Sequence, residues 1–142
     1  MPDDSDVVKP TSERKKILIA YVPGDLGEAV IQAGLAEASV RACPAVVVNV
    51  ARSGRAVDRK MIDDSDRQRL VEMAARHGVE MDIVQPVHAD PVTAIDDLAS
   101  PAEFALLVIG IRNRSAVGKF VMGSSAQRLL LDADLPILAI KR

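Results

Sequence analysis

The residues with the clearest chemical meaning lie between an apolar run, 104–109, and a predicted helix that follows Gly123. The run is short and continuously apolar, which is typical of a strand buried on both faces of a parallel sheet. After it come Gly110, a polar loop rich in Arg and Ser, and then Gly123-Ser124-Ser125. The first N–H groups of a helix have no helical partner, and the helix dipole favours negative charge there. The segment therefore predicts a binding site for an anion.

The order of the predicted elements places this segment in an α/β fold. Apolar, β-rich strands are predicted at residues 17–22, 45–50, 79–87, 104–109 and 137–142, and segments with helical periodicity lie between them. Alternation of this kind predicts one parallel sheet with helices on both faces, a three-layer arrangement. The third strand alternates in polarity, which favours an edge position in the sheet.

Two helix starts are predicted from local sequence. Ser65 with Gln68 three residues later fits a capping box, in which each side chain accepts a backbone N–H of the other residue. Asp90 followed by Pro91 fits a capping carboxylate with proline at the first helical position.

Other residues that could carry chemistry are better explained structurally. Asp63, Asp64 and Asp66 could suggest a metal site, but carboxylates at a helix start interact favourably with the helix dipole. His77 and His88 are the two histidines, and neither has a second ligand at metal-binding spacing. We therefore expect no metal site built from these residues.

Composition excludes several classes of function. The 142 residues suffice for one domain, which we place at 16–142 after a disordered tail at 1–15. A net charge of −2 and 2% aromatic residues with no Trp argue against nucleic-acid and membrane partners. The single cysteine, Cys43, excludes an intramolecular disulfide and fits a reducing compartment. With no signal peptide or long apolar segment predicted, we expect a cytoplasmic protein.

The spacing of the glycine segment resembles the nucleotide motif of the universal stress protein family. Gly110, two residues, Asn113, nine residues and Gly123-Ser124 match the pattern Gly-x2-Gly-x9-Gly-Ser/Thr, with Asn113 in place of the second glycine. The resemblance covers residues 15–142, because the first strand, the Asp-Pro helix start and the closing LPILAI strand also resemble the family.

This resemblance implies a more specific fold. It is a doubly wound, Rossmann-like sheet of five parallel strands in the order 3-2-1-4-5, of the adenine nucleotide alpha hydrolase-like type. Such sheets bind ligands at the carboxyl ends of the strands, where the strand order reverses. In this chain that point lies between strands one and four, near Val22 and Gly110.

The resemblance also implies a ligand, since nucleotide-binding members hold ATP in this crevice. We expect ATP or another adenine nucleotide, with Mg²⁺ as a candidate companion ion. The implied nucleotide-binding residues are Val22 at the end of the first strand, Val50 against the adenine, Gly110, Arg112 and Asn113 against the ribose and phosphates, and Gly123, Ser124 and Ser125 around the phosphate oxygens.

Two positions depart from the family pattern. Binding members usually end the first strand in an aspartate that contacts the nucleoside, and this chain has Val22 there, so a hydrogen-bond acceptor is missing. Asn113 replaces a glycine. Asn tolerates a left-handed backbone better than most residues, which would preserve the loop, but its side chain would crowd an approaching phosphate.

Three functions remain open from the sequence. The first is a nucleotide-binding regulatory protein of the stress response. The second is a nucleotide-free homodimeric interaction module, in which the motif only forms a turn and caps a helix. The third, an enzyme that transfers an adenylyl group, lacks a His-x-Gly-His motif, so we expect slow ATP hydrolysis at most. For the first two functions, the apolar last strand predicts a homodimer through residues from Ile137 to Ile140.

Overall fold

The computed structural model describes residues 14–52, 61–112 and 122–142. Its strands and helices, in chain order, are β1 (Lys16–Ala20), α1 (Asp25–Arg41), β2 (Ala45–Val48), β3 (Ala51–Arg52), α2 (Asp64–His77), β4 (Met81–Val84), β5 (Val87–His88), α3 (Pro91–Leu98), β6 (Phe104–Ile111), α4 (Ser124–Asp132) and β7 (Ile137–Lys141). Among the helices in these ranges, none is long and apolar enough to cross a membrane.

Five of the strands form one parallel sheet in the order β4-β2-β1-β6-β7. Counted along the chain within this sheet, the order is 3-2-1-4-5. The predicted doubly wound α/β fold is therefore confirmed, with helices on both faces of the sheet. β4 and β7 are the edge strands, and β1 lies at the centre.

The core is divided by the sheet into two layers of apolar contacts. Ile17 and Ile19 of β1 pack with residues of α1 and α2 on one face, and Leu18 packs with residues of α3 and α4 on the other. All three side chains are completely buried, as expected for a strand covered on both faces. Burying a side chain of this size contributes about 1.5–3 kcal/mol relative to leaving it exposed.

The third predicted strand, 79–87, is two strands in the structure. Only Met81–Val84 pairs with β2, and Val87–His88 pairs with Ala51–Arg52 in a small second parallel sheet. Pro86 separates them because proline has no N–H to donate to a ladder. Its carbonyl oxygen accepts a hydrogen bond from Ala51 N at 2.8 Å. The third strand predicted within 79–87 is therefore confirmed as Met81–Val84, whereas the short β5 after Pro86 was not predicted.

Helix α2 begins two residues earlier than predicted. Asp63, not Ser65, is the capping residue: its Oδ1 accepts from Asp66 N at 2.7 Å, and Asp66 Oδ2 accepts from Asp63 N at 3.1 Å. Two carboxylates therefore make the reciprocal contacts expected of Ser65 and Gln68. The acidic run is used to hold the start of a helix.

The amino-terminal side of β1 is attached to the end of α1. The Arg14 guanidinium donates hydrogen bonds to the carbonyl oxygens of Arg41 and Ala42, at 3.1 and 3.0 Å. Residues 1–13 of the predicted tail lie outside the described residues. The predicted boundary between tail and domain at residue 16 stays a prediction.

Candidate functional site

A crevice of about 690 Å³ opens at the carboxyl ends of β1 and β6. The two strands are neighbours in the sheet. The strand after β1 lies on one side of this pair and the strand after β6 lies on the other, so the strand order reverses between β1 and β6. This is the place where doubly wound sheets bind ligands. The walls also include residues of β2 and the amino-terminal parts of α1, α3 and α4. The crevice lies where the sequence predicted it.

Six of the eight predicted site residues line this crevice. They are Val22, Val50, Gly110, Arg112, Gly123 and Ser125. Ser124, the first residue of α4, is exposed and lies off the crevice walls. Asn113 is outside the described residues, so its part in the site stays a prediction.

Two glycines let α1 lie directly against the strand ends. A Cβ at Gly110 would lie 2.8 Å from Leu26 Cγ and 2.9 Å from Val30 Cγ2. A Cβ at Gly27, a residue to which the sequence analysis gave no role, would lie 1.8 Å from the carbonyl oxygen of Val22. Real Cβ contacts are not this short, so a side chain at either position would displace its neighbours: the Val22 backbone at Gly27, and the Leu26 and Val30 side chains at Gly110. Gly110 therefore has a structural role in addition to the predicted contact with a ligand.

The amino end of α4 is open to the crevice. Gly123 precedes the helix with φ −64° and ψ 154°, and no side chain in the described ranges caps it. The first helical hydrogen bond runs from Gln127 N to Gly123 O at 3.1 Å, so the N–H groups of residues 124–126 come before the helical ladder. A Cβ at Gly123 would meet no described heavy atom within 4 Å. N–H groups at a helix start that have no helical partner fit an anion.

Arg112 adds positive charge to the same part of the crevice. It directly follows the last residue of β6 and is exposed on the crevice wall. A guanidinium group can donate two parallel hydrogen bonds to a phosphate. We call the part of the crevice formed by Arg112, Gly123 and Ser125 the anion side.

The opposite part of the crevice is apolar. Val48 is the last residue of β2, Val50 lies two residues after it, and Val22 follows the end of β1 with 45% of its surface exposed. Val92 and Ile95 of α3 complete this wall. We call the part formed by Val22, Val48 and Val50 the apolar side. Its side chains can pack against the flat face of a ring system but offer no hydrogen bonds.

A buried asparagine fixes the strand ends behind the apolar side. Asn49 is 1% exposed; its Nδ2 donates to Tyr21 O at 2.9 Å, and its Oδ1 accepts from Ile62 N at 2.9 Å and from Gln85 Nε2 at 3.2 Å. These bonds join the ends of β1 and β2 to the segment before α2. The sequence analysis missed this role, although a lone polar residue in the apolar AVVVNV run was a signal.

An ion pair connects α3 to α4 beside the crevice. Asp90 caps α3 as predicted, accepting from Val92 N at 3.1 Å and from Thr93 Oγ1 at 2.9 Å. The Arg128 guanidinium, on α4, donates to both carboxylate oxygens of Asp90 at 3.2 and 2.7 Å. These hydrogen bonds hold the pKa of Asp90 well below its usual range, and those from Arg128 have the largest effect. Arg128 had no predicted role, since the sequence does not show which residues face each other across two helices.

Charged groups on the far side of α1 have structural partners. Arg69 of α2 pairs with Glu28 of α1 and donates to the Tyr21 hydroxyl at 3.0 Å. Burial raises the pKa of that hydroxyl, and the Arg69 hydrogen bond acts in the opposite direction. Within the described ranges, no group of three or more His, Cys, Asp or Glu side chains could hold a metal ion.

Comparison with known proteins agrees with this architecture. The family model described as the universal stress protein family matches residues 13–141. A universal stress protein from Mycolicibacterium smegmatis is 34% identical over 125 residues, which cover 88% of this chain and 96% of the relative.

Solved structures show the same fold. A universal stress protein from Archaeoglobus fulgidus has a TM-score of 0.77 and 30% identity, covering 90% of this chain and 99% of that chain. A universal stress protein from the same organism in complex with dAMP has a TM-score of 0.65 and 24% identity, covering 90% and 98%. With the family model matching nearly all of its sequence, this chain belongs to the universal stress protein family.

Proposed function

We propose that this protein is a regulatory universal stress protein that binds ATP or another adenine nucleotide in the crevice between β1 and β6. The observation that carries the proposal is that the apolar side and the anion side face one crevice. A nucleotide has the matching combination of a flat, weakly polar base and a strongly anionic phosphate chain. The dAMP complex of a fold neighbour supports this choice of ligand class.

The two sides of the crevice suggest how the nucleotide lies. The base would pack on Val50, just beyond the end of β2, where burial of apolar surface is favourable. The phosphates would lie at the α4 end, where Arg112, Ser125 and the N–H groups after Gly123 can donate hydrogen bonds. Because β1 lies between β2 and β6, the sugar would lie next to Val22.

Regulation by binding is favoured over catalysis. Among the described residues that line the crevice, none is an Asp, Glu or His. A group that could accept a proton from attacking water is therefore missing from these walls, so ATP hydrolysis would be slow. Mg²⁺, if it accompanies ATP, would be held mainly by phosphate oxygens and water, which is its usual mode of binding to nucleotides.

A homodimer through β7 is part of the proposal. β7 is an edge strand, so one side of its backbone has no neighbouring strand among the described residues, and its residues from Ile137 to Ile140 are only partly buried. On α4, Leu131 is 84% exposed. An apolar edge of this kind is normally paired or covered. Light scattering after size-exclusion chromatography should give the mass of two chains, and a monomer at micromolar concentration would contradict this part.

Nucleotide binding can be tested directly. The protein would be purified without added ligand and denatured, and the supernatant would be analysed for adenine nucleotides; ATP would then be titrated by calorimetry. We expect retained nucleotide or micromolar binding. Arg112→Ala should weaken binding at least about tenfold, because charge-assisted hydrogen bonds contribute about 1.5–3 kcal/mol. Arg76→Ala, which removes an exposed arginine of α2 outside the crevice, should leave binding unchanged.

The alternative is a nucleotide-free homodimeric interaction module of the stress response. Two observations favour it: Val22 supplies no hydrogen-bond acceptor, and Gly110 is explained by helix packing alone. Absence of retained nucleotide together with absence of heat on ATP titration would select this alternative. A cytoplasmic location stays a prediction under both functions.

A further inference from the structure

The sheet order places the end of β1 where a bound nucleotide would have its sugar. β1 lies between β2, which carries the apolar side, and β6, which leads to the anion side. A molecule with its base at Val50 and its phosphates at Gly123 must cross the end of β1 between them. Among the described residues, those at the end of β1 would therefore lie next to the sugar.

Three backbone carbonyl oxygens around the end of β1 each already accept a hydrogen bond within the protein. Tyr21 O accepts from Asn49 Nδ2 at 2.9 Å, and Val48 O accepts from Tyr21 N at 3.0 Å. On the β6 side, Ile111 O accepts from Arg142 N at 3.2 Å. The carbonyl oxygen of Val22 lies against Gly27, 1.8 Å from where a Cβ would be, so it points toward α1.

The side chain at this point is also unable to form a hydrogen bond. Val22 lines the crevice and is 45% exposed, so it presents methyl groups where a sugar would lie. A site that hydrogen-bonds a substrate hydroxyl strongly rejects an analogue without it, because the protein group is then left unpaired. A wall of methyl groups contains no hydrogen-bonding group that a missing hydroxyl could leave unpaired.

We propose that this crevice binds ribonucleoside and 2′-deoxyribonucleoside phosphates with nearly equal affinity, and that Val22 is the residue that sets this tolerance. The inference rests on the proposed nucleotide binding and specifies it. Selectivity then comes from the phosphates at the anion side and from the apolar faces of the base. The sugar acts mainly as a spacer between them.

The test compares ATP with dATP by calorimetry on the purified full-length protein. The two dissociation constants should agree within about threefold, which is less than the usual contribution of one well-formed hydrogen bond. Val22→Asn places an acceptor and a donor at the end of β1 and should make ATP bind about fivefold more tightly than dATP. Val71→Asn changes a valine of similar exposure, 52%, on α2, and should leave the ratio as in the wild type.

Each outcome supports or overturns the proposal. ATP binding more than about tenfold tighter than dATP in the wild-type protein would overturn the inference and leave nucleotide binding intact. An unchanged ratio in a folded Val22→Asn variant would show that the sugar does not lie next to this residue. If neither nucleotide binds, the proposed function fails first, and the inference fails with it. The wild-type ratio decides the question even if the variant does not fold.

Discussion

Two glycines on the rim of the crevice differ in what requires them. At Gly110, a Cβ would lie 2.8 Å from Leu26 Cγ and 2.9 Å from Val30 Cγ2. At Gly123, a Cβ would have no described heavy atom within 4 Å, and the φ angle of −64° is open to any residue. Packing within the fold therefore explains glycine at position 110 but not at position 123.

A glycine motif can be required for two reasons, which are helix packing within the fold and access of a ligand to the backbone. The two glycines separate these reasons. Gly110 is needed so that α1 can lie on the sheet, whether or not a ligand binds. Gly123 precedes a helix whose first N–H groups have no helical partner, and glycine there would allow a ligand to approach the backbone closely. Gly123 is therefore the better position for testing binding, because changes at Gly110 disturb the fold as well.

The largest expected effect on stability is at Gly27, on the same wall as Gly110. In an unconstrained helix, Gly→Ala stabilises by about 1 kcal/mol. Here the new Cβ would lie 1.8 Å from the backbone oxygen of Val22, and a backbone atom cannot move aside as a side chain can. We expect Gly27→Ala to lower the free energy of unfolding by about 3 kcal/mol, measured by urea denaturation. A stabilised variant would show that α1 does not lie this close to β1.

Gly110→Ala should have the next largest effect. Its Cβ would contact the ends of the Leu26 and Val30 side chains, which can shift, so we expect a loss of about 1–3 kcal/mol. Leu26→Ala should make room and recover part of that loss, giving a coupling energy of at least about 0.5 kcal/mol in a double-mutant cycle. Strict additivity of the two substitutions would contradict the packing role of Gly110.

Gly123→Ala should have a smaller effect on stability. Nothing in the described structure opposes the added methyl group, and glycine at a helix start is only modestly better than alanine. We expect a change in the free energy of unfolding of about 1 kcal/mol or less. A loss of unfolding free energy as large as that of Gly110→Ala would contradict the proposed difference between the two glycines.

The smallest expected effect concerns the ion pair between α3 and α4. The Arg128 hydrogen bonds lower the pKa of Asp90 in the folded state, so the stabilisation is present above the ordinary pKa and is lost as pH falls through the lowered folded value. Asp90→Asn keeps a good capping residue but removes the charge. Its melting temperature should fall slightly at pH 7, and the difference from the wild type should shrink below about pH 4.

The matched control for this pair is Asp97→Asn, which removes a charge from an exposed position on the same helix. It should leave the pH dependence of melting close to that of the wild type. An equal effect of the two substitutions would mean that net charge, and not the pair with Arg128, determines the change.

The fold was predictable because its central strands are apolar on both faces. The complete burial of Ile17, Leu18 and Ile19 follows from a continuous apolar run, and the crevice follows from the strand order that the family resemblance implied. The Asp90 cap was also predictable, since its signal lies within two residues. Local patterns and a family likeness were sufficient for these features.

Contacts between distant parts of the chain were not predictable in the same way. Asp90 and Arg128 are 38 residues apart, and Asn49 contacts Tyr21 across 28 residues. Helical or strand periodicity shows which face a residue occupies but not which residue lies opposite it. Gly27 was missed for the same reason, because the atom it would contact belongs to the end of β1.

A phosphate site at the start of α4 is tested most directly by an ATP titration by calorimetry of the wild type and of Gly123→Val, with urea denaturation of both. We expect micromolar binding to the wild type and at least about tenfold weaker binding to the variant, because the valine side chain would occupy the space in front of the α4 N–H groups. The free energies of unfolding should differ by only about 1 kcal/mol. Absence of heat with the wild type, or equal affinity in the two proteins, would contradict a phosphate site at the start of α4.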